Sequence, residues 1–319
     1  MVHNLDPVVN SFRPKRWIST PSPWQSCVPW VASSKLGAEM GETVTITILV
    51  ENTVYARGLL AEHGLSFHLQ VGQRSLLFDT GQSDLFLHNA LKLRLSLAGA
   101  EAIVLSHGHN DHTGGLKAAR EAAPQARLFL HRAALAQKFV RDPDGTTRSI
   151  GMDPATAEAI PQTTTGVVWT SKPAEVFDGI FVTGEIPRHN TFEDTGGPFS
   201  RDSAGAHPDP LLDDQALYFD TKDGMVILLG CAHSGVVNTL EYVQHLTGGR
   251  PIHSILGGLH LLKASPERMD KTIAAFRRLD IQRLAPAHCT GLPALAQLWT
   301  AFPDRCSSCA VGTRLSFQL

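Results

Sequence analysis

The sequence predicts an α/β fold, and three features of the chain indicate it. Short apolar runs with the period of two of a strand alternate along the chain with segments that favour helix. Each half begins with hairpin-like pairs of strands and continues with units of one strand and one helix. No glycine-rich dinucleotide or phosphate-loop motif occurs. Two mixed sheets packed face to face, with helices outside them, accommodate this pattern, although periodicity alone does not select that architecture.

The composition excludes several classes of protein. The chain has 319 residues, of which 43% are hydrophobic and 18% charged, which is enough for a sizeable buried core. A formal net charge of -2 favours neither nucleic acid nor an anionic membrane, so we expect a small-molecule substrate. No apolar run is long enough to span a bilayer and no signal-peptide pattern opens the sequence, so a cytoplasmic location is expected. Five cysteines predict reduced thiols, and nothing indicates an oligomeric state.

The first half of the chain is predicted to contain an extension followed by the start of the folded domain. Residues 1–40 are rich in proline and show neither the helical nor the strand period of apolar residues, so they are predicted to be an extension. Its Trp17, Trp24 and Trp30 are expected to pack against the folded domain, residues 41–319. Alternation from Val44 to Val50 predicts the first strand. Further strands are expected in SFHLQV, SLLFD, EAIVLSH and ARLFLH, and helices in LKAAREAA and AALAQKFV. Residues 141–166 are predicted to form a long loop, a lid or a segment that separates the two halves of the chain.

The second half repeats the pattern. Strands are predicted in GVVWTS, EVFDGIFVTGEI, HSILGGLHL, RLAPAH and VGTRLSF, and a hairpin in QALYFDT and MVILLG around an Asp-Gly turn. Helices are predicted in VVNTLEYVQHL, in the segment that Ser265 would cap, and in GLPALAQLWTAF. Residues 187–214 are predicted to be a second long loop. Its first residues, Glu185, Arg188 and His189, either contact a phosphate or carboxylate or are simply solvated.

The most informative segment is SHGHNDHTGG, residues 106–115, where a buried strand gives way to a helix. His107 and His109 are two residues apart, so in an extended chain both imidazoles point to one side and could bind one metal ion. Asp111 and His112 follow in the turn and could bind a second metal ion. The alternatives are a polar loop with solvated histidines or a single structural zinc. A buried strand that ends in three histidines and an aspartate favours a cation site.

The segment HGHNDH resembles the HxHxDH signature of the metallo-β-lactamase superfamily. The motifs LLFDTGQS, GCAHSGVVN, GGLHLL and PAHCTG also follow the order of one branch, the enzymes named 7,8-dihydropterin-6-yl-methyl-4-(β-D-ribofuranosyl)aminobenzene 5'-phosphate synthase. The similarity runs from about residue 43 to the end of the chain. It implies an αββα sandwich with a dinuclear metal site at one edge of the two sheets.

The resemblance also implies roles for residues outside the central motif. His233 corresponds to the third histidine of the first metal, and His288 to the last histidine of the second. Asp79 resembles the aspartate that accepts a hydrogen bond from a metal-bound histidine, although a turn-capping role is the alternative. His260 either lines the pocket or lies in the core with its hydrogen bonds made to other protein groups.

One position departs from the best-known members of the superfamily. Many of them have an aspartate that bridges both metals, whereas the strand MVILLG is followed here by Cys231. The Cys231 thiolate could bind or bridge metal, but a packed thiol in the wall of the site is the preferred interpretation. In that case a water or hydroxide alone would bridge the metals. Cys289 is expected to point away from the metal, because it directly follows His288 in an extended segment.

The function predicted from this site is that of a metal-dependent hydrolase. Two divalent ions, zinc by preference with iron or manganese as alternatives, would generate a hydroxide that attacks an ester, lactone, thioester or phosphoester. Asp111 is assigned a dual role, holding the second metal and accepting a hydrogen bond from the nucleophile. The alternative from a different class is a pterin-related transferase that joins a phosphoribosyl compound with release of pyrophosphate. A binding protein with a vestigial site is a third hypothesis.

Overall fold

The structure, a computed structural model, describes residues 42–162 and 166–319. The predicted extension, with Trp17, Trp24 and Trp30, lies outside the described residues. The elements of the first half are β1 (Thr43–Val50), β2 (Ser66–Val71), β3 (Arg74–Phe78), α1 (Leu85–Lys92), β4 (Ala100–Val104), α2 (Asn110–Thr113), α3 (Leu116–Ala122), β5 (Arg127–Leu130), β6 (Phe139–Arg141), β7 (Thr147–Ser149), α4 (Pro154–Ala159) and β8 (Val167–Trp169).

The elements of the second half are β9 (Ala174–Phe177), β10 (Ile180–Val182), β11 (Phe199–Ser200), β12 (Ala216–Phe219), β13 (Met225–Leu229), α5 (Val236–Leu246), β14 (Ile252–Gly258), α6 (Pro266–Arg278), β15 (Arg283–Ala287), α7 (Leu292–Ala301) and β16 (Arg314–Gln318). Short 3-10 helices also occur at Arg132–Leu135 and His288–Thr290. The Ser265 side chain accepts a hydrogen bond from the Arg268 amide, which confirms the predicted cap of α6.

Two large mixed sheets and one small sheet organise these strands. The first sheet has the order β16-β1-β2-β3-β4-β5-β8, antiparallel from β16 to β3 and parallel from β3 to β8. The second has the order β15-β14-β13-β12-β10-β9, parallel from β15 to β13 and antiparallel beyond. A three-stranded sheet, β11-β6-β7, is built from the two segments predicted as long loops and the chain just before them.

Three apolar clusters define four layers. The central cluster joins the inner faces of the two sheets, with residues such as Phe67, Phe78 and Phe219 fully buried. A second cluster packs the outer face of the first sheet against α1 and α3, and a third packs the outer face of the second sheet against α5, α6 and α7. Each sheet is therefore covered on both faces, as the predicted αββα sandwich requires.

The structure corrects three expectations about local elements and adds one helix that the sequence did not indicate. The segment AALAQKFV is not a helix: it contributes part of a 3-10 turn and the start of β6, which pairs with the nearby β7 and with the distant β11. Residues 141–166 contain β7 and α4 rather than only a loop. Residues 187–214 include β11. Helix α1 was not anticipated. In the described part of the chain, no helix is both long and apolar enough to cross a membrane.

Candidate metal centre

The candidate ligands come together where the strands of both sheets end. Asp79 directly follows β3, and the segment with His107 and His109 follows β4 in the first sheet. His233 follows β13 and His288 follows β15 in the second. The parallel pairing within each sheet brings these strand ends to one edge, so residues far apart in sequence become neighbours. The sandwich itself therefore assembles the site.

Three buried imidazoles form the first group of possible ligands. One ring nitrogen from each of His107, His109 and His233 lies within 4.8 Å of those of the other two. The His107 Nε2 atom faces the His109 Nδ1 atom at 3.0 Å, and the His233 Nε2 atom is buried without a hydrogen-bond partner. Buried nitrogens without partners are costly unless something binds them. Three neutral imidazoles are a donor set that suits a divalent transition-metal ion.

A carboxylate and two imidazoles form the second group. The Asp111 Oδ2 atom lies 3.2 Å from His288 Nε2 and 4.0 Å from His112 Nε2. The two imidazole nitrogens are 3.3 Å apart. The three atoms converge on a common space, and the Asp111 side chain is 13% exposed whereas both imidazoles are fully buried. This mixed oxygen and nitrogen set also fits a divalent cation.

His63 is a neighbour of this group that the sequence analysis missed. Its Nε2 atom lies 3.2 Å from Asp111 Oδ2, and its ring centroid is 4.9 Å from that of His288. The side chain is 66% exposed, so it faces solvent at the mouth of the site. His63 stands in the connection before β2, and no spacing relative to the central motif could have indicated it. Only the pairing of β1 and β2 brings that connection to the edge of the sheet.

Asp79 organises the buried side of the site. Its Oδ2 atom accepts hydrogen bonds from His112 Nδ1 and from the Ser106 hydroxyl, each at 2.7 Å, and its Oδ1 atom accepts the Ser106 amide at 2.7 Å. Because the Ser106 hydroxyl gives its proton to Asp79, its oxygen accepts from His107 Nδ1 at 2.8 Å. Both histidines then carry their proton on Nδ1, which leaves Nε2 free to bind a cation.

Three further groups orient the histidines of the second sheet, and none was singled out from the sequence. The Thr195 carbonyl accepts a hydrogen bond from His233 Nδ1 at 2.8 Å. The Asn52 Oδ1 atom accepts from His288 Nδ1 at 2.9 Å, and Glu51 accepts the His288 amide at 2.8 Å. Glu51 and Asn52 directly follow β1, in the other sheet. A polar pair at the end of a strand is the only signal that could have indicated them.

Cys231 and Cys289 both lie at the site, which corrects the expectation that Cys289 points away. The Cys231 sulfur lies 3.1 Å from His112 Nε2. It is also grouped with Cys289 and His260, whose ligand atoms all lie within 4.8 Å of one another. The chain after β15 is not extended, since His288 begins a 3-10 turn with φ of 51°. That turn directs both His288 and Cys289 into the site.

Burial and mutual repulsion keep the first group of histidines neutral. Burial lowers the pKa of His109 to about 3 and lowers the pKa values of His107 and His233 well below the usual value. His112 differs, because its two carboxylate neighbours outweigh burial and raise its pKa to about 9. Burial opposes ionisation of Asp111, but the surrounding imidazoles hold its pKa well below the usual range. The first group therefore consists of neutral donors, whereas the second combines an anionic carboxylate with His112, which must release a proton from Nε2 before that atom can bind a cation.

Strained backbone is concentrated at the same place. Asp79, Ala232, His260 and His288 have φ values of 59°, 54°, 48° and 51°. Such left-handed conformations of residues other than glycine cost roughly 1–3 kcal/mol each. Each of these residues either belongs to the site or adjoins one of its members. Surrounding contacts must hold these conformations, which is typical of functional sites.

A buried ion cluster fastens the small sheet to the central motif. The Lys138 ammonium, 1% exposed, donates to Asp209 and Asp213 at 2.9 Å each. The Asp213 carboxylate also accepts the Gly108 amide at 2.7 Å. Gly108 lies between His107 and His109, so the cluster holds the backbone between these two candidate ligands. Its two aspartates lie 71 and 75 positions from Lys138 in the chain, so no local pattern indicates it.

A cavity of about 710 Å³ lies beside the site. Three arginines, Arg141, Arg188 and Arg201, line it together with the segment Thr195–Arg201. Arg141 and Arg188 donate to the carbonyls of Ala204 and Pro210, and the charge of Arg188 also acts on the buried Asp214 carboxylate. The cavity and the site share a wall, since Phe199 also lies 5.1 Å from the ring of His109.

The comparisons agree with this fold. The model of the metallo-β-lactamase superfamily matches residues 61–288, so the chain belongs to that superfamily. An uncharacterized protein of Methanocaldococcus jannaschii is 31% identical over 254 residues, which are 79% of this chain and 93% of that protein. In the same organism, 7,8-dihydropterin-6-methyl-4-(β-D-ribofuranosyl)-aminobenzene-5'-phosphate synthase is 28% identical over 264 residues, covering 79% of this chain and 90% of the synthase.

A solved structure gives the same result. The crystal structure of a metal-dependent hydrolase of the β-lactamase superfamily matches with a TM-score of 0.73 at 30% identity, covering 86% of this chain and 100% of that one. The family resemblance and the predicted αββα fold are thereby confirmed.

Proposed function

We propose that the protein is a metal-dependent hydrolase with a dinuclear centre in a catalytic domain of residues 41–319. His107, His109 and His233 are proposed to hold one divalent ion. Asp111, His112 and His288 are proposed to hold the other. The observation that carries the proposal is the convergence of three imidazoles in the first group, with a buried and unpartnered nitrogen on His233, and the distances of 3.2–4.0 Å that join the Asp111, His112 and His288 atoms of the second. Zinc suits these donors best, with iron or manganese as alternatives.

Bound cations would supply Lewis acidity and lower the pKa of a water ligand. The residues of the chain would supply position and proton transfer. Asp111 is ionised and partly open to solvent, so its carboxylate can accept a hydrogen bond from an attacking water. Asp79 and Ser106 hold His112 and His107 in the tautomer that keeps Nε2 free. His63 adds an imidazole beside Asp111 on the solvent side.

The cavity beside the site supports a substrate that carries a phosphate or carboxylate group. Arg141, Arg188 and Arg201 line it, and the first two donate hydrogen bonds to backbone carbonyls. Guanidinium groups bind oxyanions through paired hydrogen bonds. The cavity is also the size of a small-molecule site. Among the substrates predicted from the sequence, phosphoesters are therefore favoured over lactones and neutral esters.

The test begins with metal content and hydrolysis. Untagged protein should contain about two metal ions per chain by mass spectrometry and should hydrolyse bis(p-nitrophenyl) phosphate. His109→Ala and His288→Ala should each lower the metal content and abolish turnover while circular dichroism stays unchanged. Wild-type protein without metal, or variants that keep full metal content, would refute the ligand assignment.

The role of the cavity has a separate test. Inorganic pyrophosphate should inhibit hydrolysis competitively, and Arg188→Gln should weaken that inhibition about tenfold, since a charged hydrogen bond contributes about 1.5–3 kcal/mol. Arg120→Gln, on α3, removes the same charge outside the cavity and should have no effect. Equal inhibition of all three proteins would contradict anion binding in the cavity and leave the hydrolase proposal standing.

A pterin-related transferase is the second candidate, because the relative that is 28% identical is named as such a synthase. The same arginines would then bind the phosphate groups of a phosphoribosyl donor. A transferase should release pyrophosphate only when donor and acceptor are both present. A hydrolase should cleave phosphodiesters without any acceptor, so product analysis with and without the acceptor separates the two.

A further inference from the structure

A third group of potential ligands adjoins the six residues proposed to hold two cations. It consists of Cys231, His260 and Cys289, and we call it the cysteine cluster. One ligand atom from each lies within 4.8 Å of the other two. The three residues follow β13, β14 and β15, three adjacent parallel strands of the second sheet. Their proximity is therefore a property of the sheet edge and does not depend on a flexible surface loop.

The backbone is strained at His260 and at a residue next to each of the two cysteines of the cluster. His260 itself has φ of 48°, Ala232 directly after Cys231 has φ of 54°, and His288 directly before Cys289 has φ of 51°. Left-handed turns at residues that are not glycine persist only where the surrounding structure enforces them. Here the three turns follow three adjacent strands. An extended chain after β15 would instead direct Cys289 to the opposite side.

Two glycines leave the space that the cluster fills. A Cβ atom on Gly258 would lie 2.6 Å from the Cys289 sulfur and 3.3 Å from the Cys231 Cα atom. A Cβ atom on Gly196 would lie 1.8 Å from the His260 ring. Any larger residue at either position would displace a member of the cluster. The chain is thus built to bring these three side chains close together.

The His260 ring has a nitrogen available for a ligand. Its Nε2 atom lies 3.3 Å from the Gly196 carbonyl and can donate to it. Its Nδ1 atom is buried and makes no hydrogen bond of regular geometry in the described chain, although the ring interacts with the neighbouring Cys289 thiol. A buried ring nitrogen without a partner is unfavourable, and a cation would satisfy it. The two sulfurs and this nitrogen are the donors that thiophilic ions prefer.

We propose that Cys231, His260 and Cys289 form a separate cation site that takes a thiophilic ion such as Zn²⁺ through two sulfurs and one imidazole. Three protein ligands leave the fourth tetrahedral position open to water or substrate. The Cys231 sulfur lies 3.1 Å from His112 Nε2, so the site adjoins the proposed dinuclear centre. The inference does not depend on hydrolysis, and it holds whether the protein is a hydrolase or a transferase.

A competing assignment uses Cys231 alone. This sulfur is also grouped with His107 and His112, so it could complete the ligand set of the dinuclear centre without Cys289 or His260. The two assignments differ in how many sulfurs bind metal. They also differ in whether the removal of Cys289 or His260 changes the metal spectrum.

The test uses cobalt as a spectroscopic substitute in the full-length protein. Metal-free, reduced protein is titrated with Co²⁺, and the near-ultraviolet sulfur-to-cobalt charge-transfer band is recorded. Cys289→Ser should reduce the band by about half, because one of two sulfur ligands is lost. His260→Gln should weaken the binding that produces the band, and the double variant with Cys231→Ser should lack the band. Cys309→Ser, a buried free thiol of the core, is the matched control and should leave it unchanged.

The outcomes are separable from those for the dinuclear centre. His109→Ala should lower the total bound cobalt but keep the charge-transfer band. A band that is unchanged in both Cys289→Ser and His260→Gln, with circular dichroism intact, would show that Cys231 binds alone and would overturn the proposal. Loss of two of the five titratable thiols in protein purified without reductant, with no band after reduction, would also overturn it by identifying a disulfide-forming pair instead.

Discussion

Replacing Asp79 by asparagine tests the organisation of the site most directly. The side chain keeps its shape but loses its charge, and one of its two oxygens becomes an NH₂ group. In the wild type, Oδ1 accepts the Ser106 amide, while Oδ2 accepts the Ser106 hydroxyl and His112 Nδ1, all at 2.7 Å. All three donors are buried. Asparagine cannot accept all of these hydrogen bonds.

Both orientations of the new amide have a cost. If its NH₂ group faces the Ser106 amide, two donors meet and a buried N–H loses its partner, which costs about 1–3 kcal/mol. If its NH₂ group faces His112, then Nδ1 of His112 must accept and the proton moves to Nε2. That nitrogen is the one grouped with Asp111 and His288, so it can no longer bind a cation. We expect a loss of about 10–100-fold in the affinity for the second metal.

The assay is a zinc titration against a competing chelator, with urea unfolding of the metal-free protein measured in parallel. Asp79→Asn should weaken one of two binding steps and lower the free energy of unfolding by about 1–3 kcal/mol. Asp220→Asn removes a carboxylate that pairs with Arg250 on the surface, and it should change neither quantity. Wild-type zinc affinity in Asp79→Asn would refute the argument that Asp79 sets the tautomer of His112.

Three further changes have defined outcomes. Lys138→Met leaves the buried Asp209 and Asp213 without their cation, so urea unfolding should show a free energy of unfolding that is lower by about 3–5 kcal/mol. Lys271→Met removes an exposed ion pair and should change this free energy little. Gly230→Ala would put a Cβ atom 2.0 Å from the Ser106 hydroxyl, so it should lower the free energy of unfolding by about 1–3 kcal/mol and reduce metal binding. Gly99→Ala, where the added atom meets open space, is the control. Equal metal content in the two variants would argue against this crowding. Burial lowers the pKa of His68 from 6.5 to about 4, so the unfolded chain binds a proton between these values that the folded chain does not, and stability falls as pH falls through that range. His68→Gln should remove on the order of 2–3 kcal/mol of this loss between neutral pH and about pH 4, and an unchanged pH dependence in urea unfolding would contradict it.

Most strands were predictable because their signal is local. The alternation in β1 and β2 and the Asp-Gly turn before β13 depend on neighbouring residues, and the structure confirms these elements. The segment AALAQKFV was wrongly predicted because its helical composition is overridden by distant partners. Lys138 in that segment is neutralised by Asp209 and Asp213, and β6 pairs with β11 from beyond residue 190. No local pattern records such pairings.

The candidate site was predictable to the extent that its residues lie in one motif or in a familiar order of motifs. Four possible ligands occur between His107 and His112, where a strand ends and a helix begins. His63 and Cys289 were not recognised, although both contact members of the site. His63 has no characteristic spacing, and the position of Cys289 depends on the left-handed turn at His288.

Local sequence thus decides where strands begin and end, and the clustering of histidines decides that metal chemistry is expected. The tertiary structure decides which distant side chains complete the site and how each is oriented. The hydrogen bonds from His288 to Asn52 and from His233 to Thr195 join different elements of the sandwich. Their geometry depends on how two sheets pack, and packing is set by the three apolar clusters together rather than by any single segment.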